Sequence, residues 1–400
     1  MLFVMPINVK AQADESLVKD DSIIGEAFAV AENLLRDYYY AIELYQPFNA
    51  SSICDERCMN YIDNKVFAKQ LKSIAYGTDD IYHYNISFSL IEAIKDQGYL
   101  TLKIKASAKY NYKEADMDSA YNELCVIVFS LNDMIIVDFV SPYDYYDLEI
   151  RGENPGALYD LSDKEYNEQC VAHLNYVERI KEYYEEIREK IYLATENKDI
   201  PDVPVRSTLY SLNRSAMVTW AANNYDKTLP TSGNSTYVPT YVDFPSIGGA
   251  YDCTNFVSHS ILAGGSVVYD TGGSGISSTG WYCRNINDRA SSWSGVSNLH
   301  AFLTSNSVKG PAGTEISYST IYAPSGYFPY QAGDLMQFHN GSIWRHSALI
   351  TGYWGIGGAG VLEAAVTDRT NSSSNNYNRR ESEVYPGEQR RVIVMQGYYN

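Results

Sequence analysis

The sequence predicts an α+β protein made of two dissimilar halves, and three observations support this. In residues 14–150, apolar residues first recur at helical spacing and then alternate as in strands, and a long charged segment with helical spacing follows. Residues 201–400 are instead rich in Gly, Ser and Asn. The net charge of −18 lies almost wholly in the first half, because residues 201–400 hold 12 Lys and Arg against 13 Asp and Glu. With 400 residues, we expect an accessory domain over 14–150, a helical linker over 151–200 and a second domain over 201–400.

The beginning of the chain resembles the end of a secretion signal. A short apolar run in residues 1–13 ends in Ala11-Gln12-Ala13, and the acidic pair Asp14-Glu15 follows. This A-x-A pattern is typical of a cleavage site, although the basic region that precedes such signals is absent, so the signal is a remnant. We therefore expect a secreted or cell-wall-associated protein whose mature chain starts near Asp14.

The N-terminal half predicts two helices followed by an antiparallel meander. Apolar residues recur at helical spacing over 22–46 and again over 61–76. Alternating runs then occupy 82–95, 100–108, 125–131 and 134–140, with Asn132-Asp133 at a tight turn. This order is similar in topology to cone-shaped nuclear-transport-factor-2-like and cystatin-like domains, with helices covering a curved sheet. It contains no catalytic set, and we interpret His83 as a strand surface residue.

Residues 161–192 predict a long helix with one apolar stripe and charged side chains on its other faces. The predicted stripe consists of Val171, Leu174, Val177, Ile180, Tyr184, Ile187 and Ile191. We expect this helix to dock one face on a domain and to act as a spacer, with a dimerising coiled coil as the alternative. The two prolines in residues 200–208 mark the boundary to the second domain.

Composition limits the partners and cofactors. The acidic first half argues against nucleic acid and against docking on anionic lipid. The sequence has no run of eighteen apolar residues, so it predicts no membrane-spanning helix. Cys54-x-x-x-Cys58 suits a local bridge or a metal ligand pair, but it lacks the second pair typical of zinc sites. We expect no metal and no organic cofactor, and the oligomeric state is left open.

The most informative stretch is residues 248–265, where Cys253 follows two glycines and Asp252. The pattern after Cys253 predicts a short buried helix that ends at Gly264 and Gly265. A thiol in the first turn of a helix ionises more easily, because the free N–H groups and the helix dipole stabilise an anion. Cys253 is therefore a candidate nucleophile, and a buried apolar cysteine is the alternative.

A thiol nucleophile needs a base, and His346 is the candidate because it begins a predicted strand 93 residues after Cys253. The other histidines of this half fit less well. His259 lies nearly two helical turns beyond the cysteine. His300 lies in a predicted helix, where we expect its side chain to be exposed, and His339 lies where a strand runs into a turn.

Four blocks in order resemble a family of secreted amidase domains of Gram-positive bacteria, similar to CHAP and papain-like cysteine hydrolases. They are an opening helix at 213–222, the nucleophile block at 252–258, Ser291-Ser292-Trp293 with Val296, Leu299 and Leu303, and the base block from Gly333 to Ala348. The resemblance covers about 190 residues. It implies a papain-like α+β domain, amide hydrolysis, Cys253 as nucleophile and His346 as base.

The third catalytic residue is ambiguous, because Val366 stands where the family often has a second histidine. Asp368 and Glu363 are the candidates to orient the imidazole, and Asp368 is our choice. Asp252 is interpreted as the N-cap of the cysteine helix.

The sequence thus favours a cysteine amidase or peptidase that acts on a cell-wall (peptidoglycan-like) or extracellular peptide through an acyl-enzyme. Two alternatives stay open. One is an inactive secreted binding or scaffold protein, and the other is an acyltransferase that uses the same cysteine–histidine pair.

Overall fold

The structure is a computed structural model of the 400-residue chain. It describes residues 17–78, 80–113, 117–152, 156–196, 209–230, 232, 239–244, 252–316, 323–324, 329–356 and 361–400. The predicted signal remnant, the boundary at 200–208 and the glycine pair before Cys253 lie outside the described residues. No described helix combines the length and the apolar character that crossing a membrane requires.

The chain divides into two compact units. One consists of Met1–Lys113 and Asn122–Glu186, and the other of Glu114–Tyr121 and Ile187–Asn400. Both combine helices with antiparallel strands, so the predicted α+β class is confirmed.

The first unit begins with helices and continues with antiparallel strands, in the predicted order. Its helices before the sheet are α1 (Leu17–Leu44), α2 (Glu56–Gln70) and the short α3 (Ser73–Tyr76). Its strands are β1 (Ile81–Asp96), β2 (Tyr99–Tyr112), most of β3 (Asp118–Ser130) and β4 (Ile136–Val140). The second predicted helix starts earlier than expected, because the Asp55 carboxylate accepts the Cys58 N–H and caps α2.

Alternation predicts the buried face of β2 but not that of β1, where Ile86 is buried and Leu90 is 37% exposed. The five predicted inward positions of β2, from Leu100 to Ala108, are all buried. β3 and β4 pair as an antiparallel hairpin around Asn132 and Asp133, as predicted. Cys54 and Cys58 are both free thiols in this unit, and a hydrogen bond joins them.

After the hairpin come α4 (Tyr145–Arg151), a 3-10 turn over Leu158–Asp160 and the long α5 (Asp163–Glu196). α5 buries one face, but the predicted stripe is wrong at its start. Val171 and Leu174 are 57% and 65% exposed, and His173 and Tyr176 are buried in their place. The reason is polar and aromatic packing, since the Tyr146 hydroxyl bonds the His173 ring at 3.0 Å and its own ring packs on Tyr176.

The second unit places helices beside a larger antiparallel sheet. Its helices are α6 (Arg214–Asn224), α7 (Cys253–Ala263), α8 (Ser291–Ser294), α9 (Val296–Ser305) and α10 (Glu381–Val384). Its strands are β5 (Ile276–Ser277), β6 (Cys283–Asn285), β7 (Asp288–Ala290), β8 (Gly310–Ile316), β9 (Ala323–Pro324), β10 (Leu335–His339), β11 (Trp344–Ile356), β12 (Val361–Asn371), β13 (Ser374–Arg380) and β14 (Gln389–Tyr399).

Within this sheet the order of neighbouring strands is β13-β12-β11-β10-β14-β8, all antiparallel. Successive side chains of a strand point to opposite faces, so each strand contributes to two cores. Leu335, Leu349 and Ile393 pack in a cluster with α6, α7 and α9. Their neighbours Met336 and Ile350 belong to a second cluster on the other face. The sheet is therefore buried on both faces where it supports the candidate site.

Candidate active site

Cys253 is the first residue of α7 and is 2% exposed. The helix ends as predicted, because Gly264 is its C-cap and Gly265 follows at φ +94°, in the left-handed region that favours glycine. The N–H groups of the first helical turn have no acceptor within the helix. The Cys253 thiol thus lies at the positive end of a buried helix.

His346 and Asp368 come from neighbouring strands. Leu349 of β11 pairs with Thr367 of β12, and continuing this register places Asp368 diagonally from His346 on one face of the sheet. His346 Nε2 lies 3.5 Å from Asp368 Oδ1, which is at the outer limit of hydrogen bonding, and both side chains are buried. The structure therefore brings the predicted base and the preferred third residue together.

The Cys253 thiol interacts with the same histidine. Burial by itself would raise the pKa of Cys253, but the charge of His346 and a hydrogen bond from its ring outweigh burial and lower this pKa. The backbone N–H of Ser347 and the Thr254 hydroxyl add hydrogen bonds that favour the thiolate. The Thr254 Oγ1 atom lies 3.7 Å from Sγ.

His346 shifts in the complementary direction. Burial would lower the pKa of His346, but the negative charges of Cys253 and then Asp368 raise it well above its usual value. A lowered thiol pKa and a raised imidazole pKa together favour the thiolate–imidazolium ion pair. The protonated ring is then held between a sulfur anion and a carboxylate.

Buried hydrogen bonds hold the side chain of Ser347, which directly follows His346. The Gln337 Nε2 atom donates to Ser347 Oγ at 3.1 Å and to the Val296 carbonyl at 2.9 Å, while its Oε1 accepts from Arg391. The Ser347 hydroxyl also lies 3.2 Å from Thr254 Oγ1. These contacts tie β10, β11 and the start of α7 together beside the thiol.

Asp368 is held from the next strand. The Asn376 Nδ2 atom on β13 donates to both carboxylate oxygens of Asp368, at 3.0 and 3.1 Å. Asn376 lies directly opposite Asp368 in the β12–β13 pair. The carboxylate is therefore oriented independently of the histidine that it faces.

Asp252 does not cap α7 with its side chain, which corrects the N-cap interpretation. Its carboxylate is buried and accepts hydrogen bonds from Arg369 Nε at 2.9 Å, Tyr241 Oη at 2.9 Å and Asn255 Nδ2 at 2.7 Å. Burial raises the pKa of Asp252 to about 7, against the opposing effect of Arg369. The side chain thus anchors the chain just before the nucleophile to β12.

The other candidates lie in different surroundings. Glu363 accepts the Ser382 N–H at 2.9 Å and faces Arg380 at 3.9 Å. Val366 is fully buried in the second core cluster, in keeping with an apolar role. His300 pairs with Glu315 and is partly buried, whereas the sequence predicted an exposed side chain.

His259 is buried on α7 and stacks on Trp220, with ring centroids 5.6 Å apart. Among the described residues, no group of three or more His, Cys, Asp and Glu side chains is arranged to hold a metal ion.

Sequence reasoning missed Asn376, Thr254 and the Ser347 N–H. Thr254 had one usable signal, because it follows the candidate nucleophile directly. For Asn376 a simple hairpin register is misleading. If the pairing of Asn371 with Ser374 continued without a bulge, Tyr377 would lie opposite Asp368. A register shift between Arg369 and Asn371 places Asn376 there instead.

Chemically, this arrangement suits a proton relay. A buried thiol contacts an imidazole, and a carboxylate faces the Nε2 atom of that ring. Such a set transfers a proton from sulfur to nitrogen and stabilises the resulting cation.

Comparison with protein families gives one match. Residues 211–393 match the family model described as "Putative amidase domain". This match supports an amidase domain in the C-terminal half and suggests amide hydrolysis in general. No curated protein and no solved structure matches the chain.

Proposed function

We propose that the second unit is a cysteine amidase with Cys253 as nucleophile, His346 as general base and acid, and Asp368 as the residue that orients the imidazole. The contact of one buried histidine with both the Cys253 thiol and the Asp368 carboxylate carries this proposal. The amidase family match over residues 211–393 supports it independently. A papain-like arrangement, with the thiol on a helix N-terminus and the base on a strand, agrees with the same observations.

In the proposed reaction the thiolate of Cys253 attacks the carbonyl carbon of the amide. The Cys253 N–H, which has no acceptor within α7, donates to the developing oxyanion. Protonated His346 gives its proton to the leaving nitrogen as the C–N bond breaks, which releases the amine and leaves a thioester. His346 then removes a proton from water, and the resulting attack breaks the C–S bond, releases the acid and restores the thiolate–imidazolium pair.

For the substrate we propose a peptide amide of the cell wall or another extracellular peptide. This follows from the expected export of the chain, which rests on the A-x-A pattern before Asp14.

The test requires no substrate. The full chain is alkylated with iodoacetamide between roughly pH 5 and 10, and each modified cysteine is mapped by mass spectrometry. Cys253 should react well below the ordinary thiol pKa of about 8.5. His346→Ala should slow it more than tenfold at about pH 6, because the thiolate loses its counterion. Cys283 is a built-in control, since burial raises the pKa of its thiol to about 12.

An inert Cys253, or a Cys253 that titrates like a free thiol, would favour the alternative of an inactive binding domain. If the cysteine is reactive, mass spectrometry of products with an added amine separates hydrolysis from acyl transfer. The free acid alone indicates a hydrolase, and a new amide indicates an acyltransferase.

A further inference from the structure

A cavity lies in the second unit, beside a part of α7 that is remote from the candidate nucleophile Cys253. Its volume is about 600 Å³, within the range of small-molecule sites. α6 contributes Trp220, α7 contributes His259 and Leu262, and the segment after α7 contributes Ser266 and Val268, with Tyr241 on a further wall. His259 lies six residues along the helix from Cys253, so this cavity is distinct from the candidate active site.

Two polar atoms of this cavity have no hydrogen-bond partner within the described part of the chain. They are Nε2 of His259 and Oγ of Ser266, and each residue is only 5% exposed. A buried polar group without a partner costs about 1–3 kcal/mol. Both residues line the cavity, and the two polar atoms lie just beneath its surface, so a bound group reaches them after a small side-chain rotation.

The state of His259 defines what it can recognise. Burial lowers the pKa of His259 to about 3, so the ring is neutral at physiological pH. A neutral imidazole nitrogen donates or accepts one hydrogen bond according to its tautomer, and a serine hydroxyl does the same. The interior of the cavity therefore offers hydrogen bonds without charge.

The remaining walls are apolar and flat. The Trp220 ring lies parallel to His259, within 9°, and packs edge-on against Tyr241 at 5.0 Å. Leu262 and Val268 pack against the adjacent core. A hexose carries several hydroxyl groups, more than the two buried polar groups here would satisfy, so this composition disfavours a sugar.

The cavity lining also includes a cationic side chain, the exposed Lys309. An ammonium at the rim attracts an anion and repels a cation. We propose that this cavity binds an amphiphilic carboxylate, with an aromatic or branched apolar body on Trp220, a polar group at His259 and Ser266, and the carboxylate near Lys309. The ligand is either a free small acid or the C-terminal residue of a peptide.

The test is isothermal titration calorimetry on the full chain carrying Cys253→Ala, which prevents turnover. N-acetyltryptophan should bind saturably, and N-acetyltryptophanamide should bind about fivefold more weakly because it lacks the charge that pairs with Lys309. A peptide ending in Gly-Gly-Trp separates the two sources. Affinity equal to that of the small acid indicates a peptide terminus, and much weaker binding indicates a free acid.

Two variants locate the binding. Lys309→Gln should remove the difference between acid and amide, while Lys227→Gln, an exposed lysine that does not line the cavity, should preserve it. His259→Phe keeps an aromatic ring and removes the nitrogen, and should weaken the acid about tenfold. Its folding is checked by circular dichroism, and Lys309→Gln decides the question if that variant unfolds.

No saturable binding up to roughly 10 mM of the acid would overturn the proposal. So would equal binding of acid and amide, or tighter binding of N-acetylglucosamine. Because the titration uses a chain without the Cys253 thiol, its failure is independent of the proposed amidase mechanism.

Discussion

The Nε2 atom of His346 lies 3.5 Å from Oδ1 of Asp368, and both residues belong to adjacent strands of one buried sheet. Asn376 on the third strand holds the same carboxylate through both of its oxygens. Three strands thus determine the position of the imidazole. The Cys253 thiol comes to this ring from the first turn of α7, so the thiol and the imidazole are positioned by different elements.

Asp368→Asn should reduce activity while preserving the shape of the side chain. Removing the negative charge lowers the pKa of His346, because Asp368 is one of the two charges that raise it. The ion pair then persists over a narrower pH range, and its alkaline limit moves to lower pH. We expect kcat/KM to fall by about 10- to 100-fold. The pH profile of Cys253 alkylation measures the shift directly.

Glu315→Gln is the matched control, because Glu315 also pairs with a histidine, His300, but away from the thiol. This variant should leave the alkylation profile unchanged. An Asp368→Asn variant with the wild-type profile would show that Asp368 does not orient the base.

Thr254→Val should weaken the stabilisation of the thiolate. The change keeps the β-branched shape and removes a hydroxyl that lies 3.7 Å from the Cys253 sulfur and 3.2 Å from Ser347 Oγ. That hydroxyl lowers the pKa of Cys253, so this pKa should rise. We expect alkylation at about pH 6 to slow by roughly two- to fivefold. Thr304→Val, on the exposed face of α9, should have no effect, and equal rates in both variants would exclude a role for Thr254.

Local patterns predicted the elements that carry the site. The helix after Cys253, its glycine end and the strand that contains His346 all depend on signals within a few residues, and the structure has each of them. Asp368 and Glu363 could not be separated, because both lie on β12 and the sequence does not show which side chain meets the imidazole.

The sequence did not predict contacts between residues that lie far apart in the chain. Asp252 was expected to cap its own helix, yet its carboxylate pairs with Arg369, 117 positions away. Similarly, α5 was assigned its apolar face from periodicity, but the bond between Tyr146 and His173 exposes Val171. In both cases tertiary contacts outweigh the local preference, and for Asp252 that preference, helix capping, is worth only about 1 kcal/mol.

Asp252→Asn should destabilise the second unit. It leaves the Arg369 guanidinium, which is fully buried, without the carboxylate that lies 2.9 Å from its Nε. Breaking a buried pair from one side costs about 3–5 kcal/mol, and the neighbouring Asp243, 3.4 Å from the guanidinium, should hold the loss near the lower end. Chemical denaturation at about pH 8.5, where Asp252 with its pKa of about 7 is ionised, measures the change in the free energy of unfolding.

Asp270→Asn breaks a comparable pair with Arg284 that is more than a quarter exposed. It should cost much less than Asp252→Asn, because solvent screens the exposed pair. Similar losses for the two variants would show that Asp252 and Arg369 do not form a buried pair.

Glu363→Gln should change the pH dependence of stability and leave the thiol unaffected. Burial and then the charge of Glu381 raise the pKa of Glu363 to about 8, although Arg380 and Ser382 oppose this shift. A carboxyl group whose folded pKa is raised binds more protons in the folded state than in the unfolded chain. Its stabilising contribution is therefore complete below its ordinary pKa of about 4.5 and is lost as the pH rises through about 8.

Glutamine keeps the acceptor for the Ser382 N–H and does not titrate. The free energy of unfolding of this variant should accordingly decline less than that of the wild type between about pH 5 and 8.5, by up to about 4 kcal/mol. Urea denaturation at several pH values measures the two slopes. Cys253 alkylation should keep its wild-type profile, because Asp368 rather than Glu363 faces His346. A shifted alkylation profile in this variant, with an unchanged one in Asp368→Asn, would reverse the assignment of the third residue.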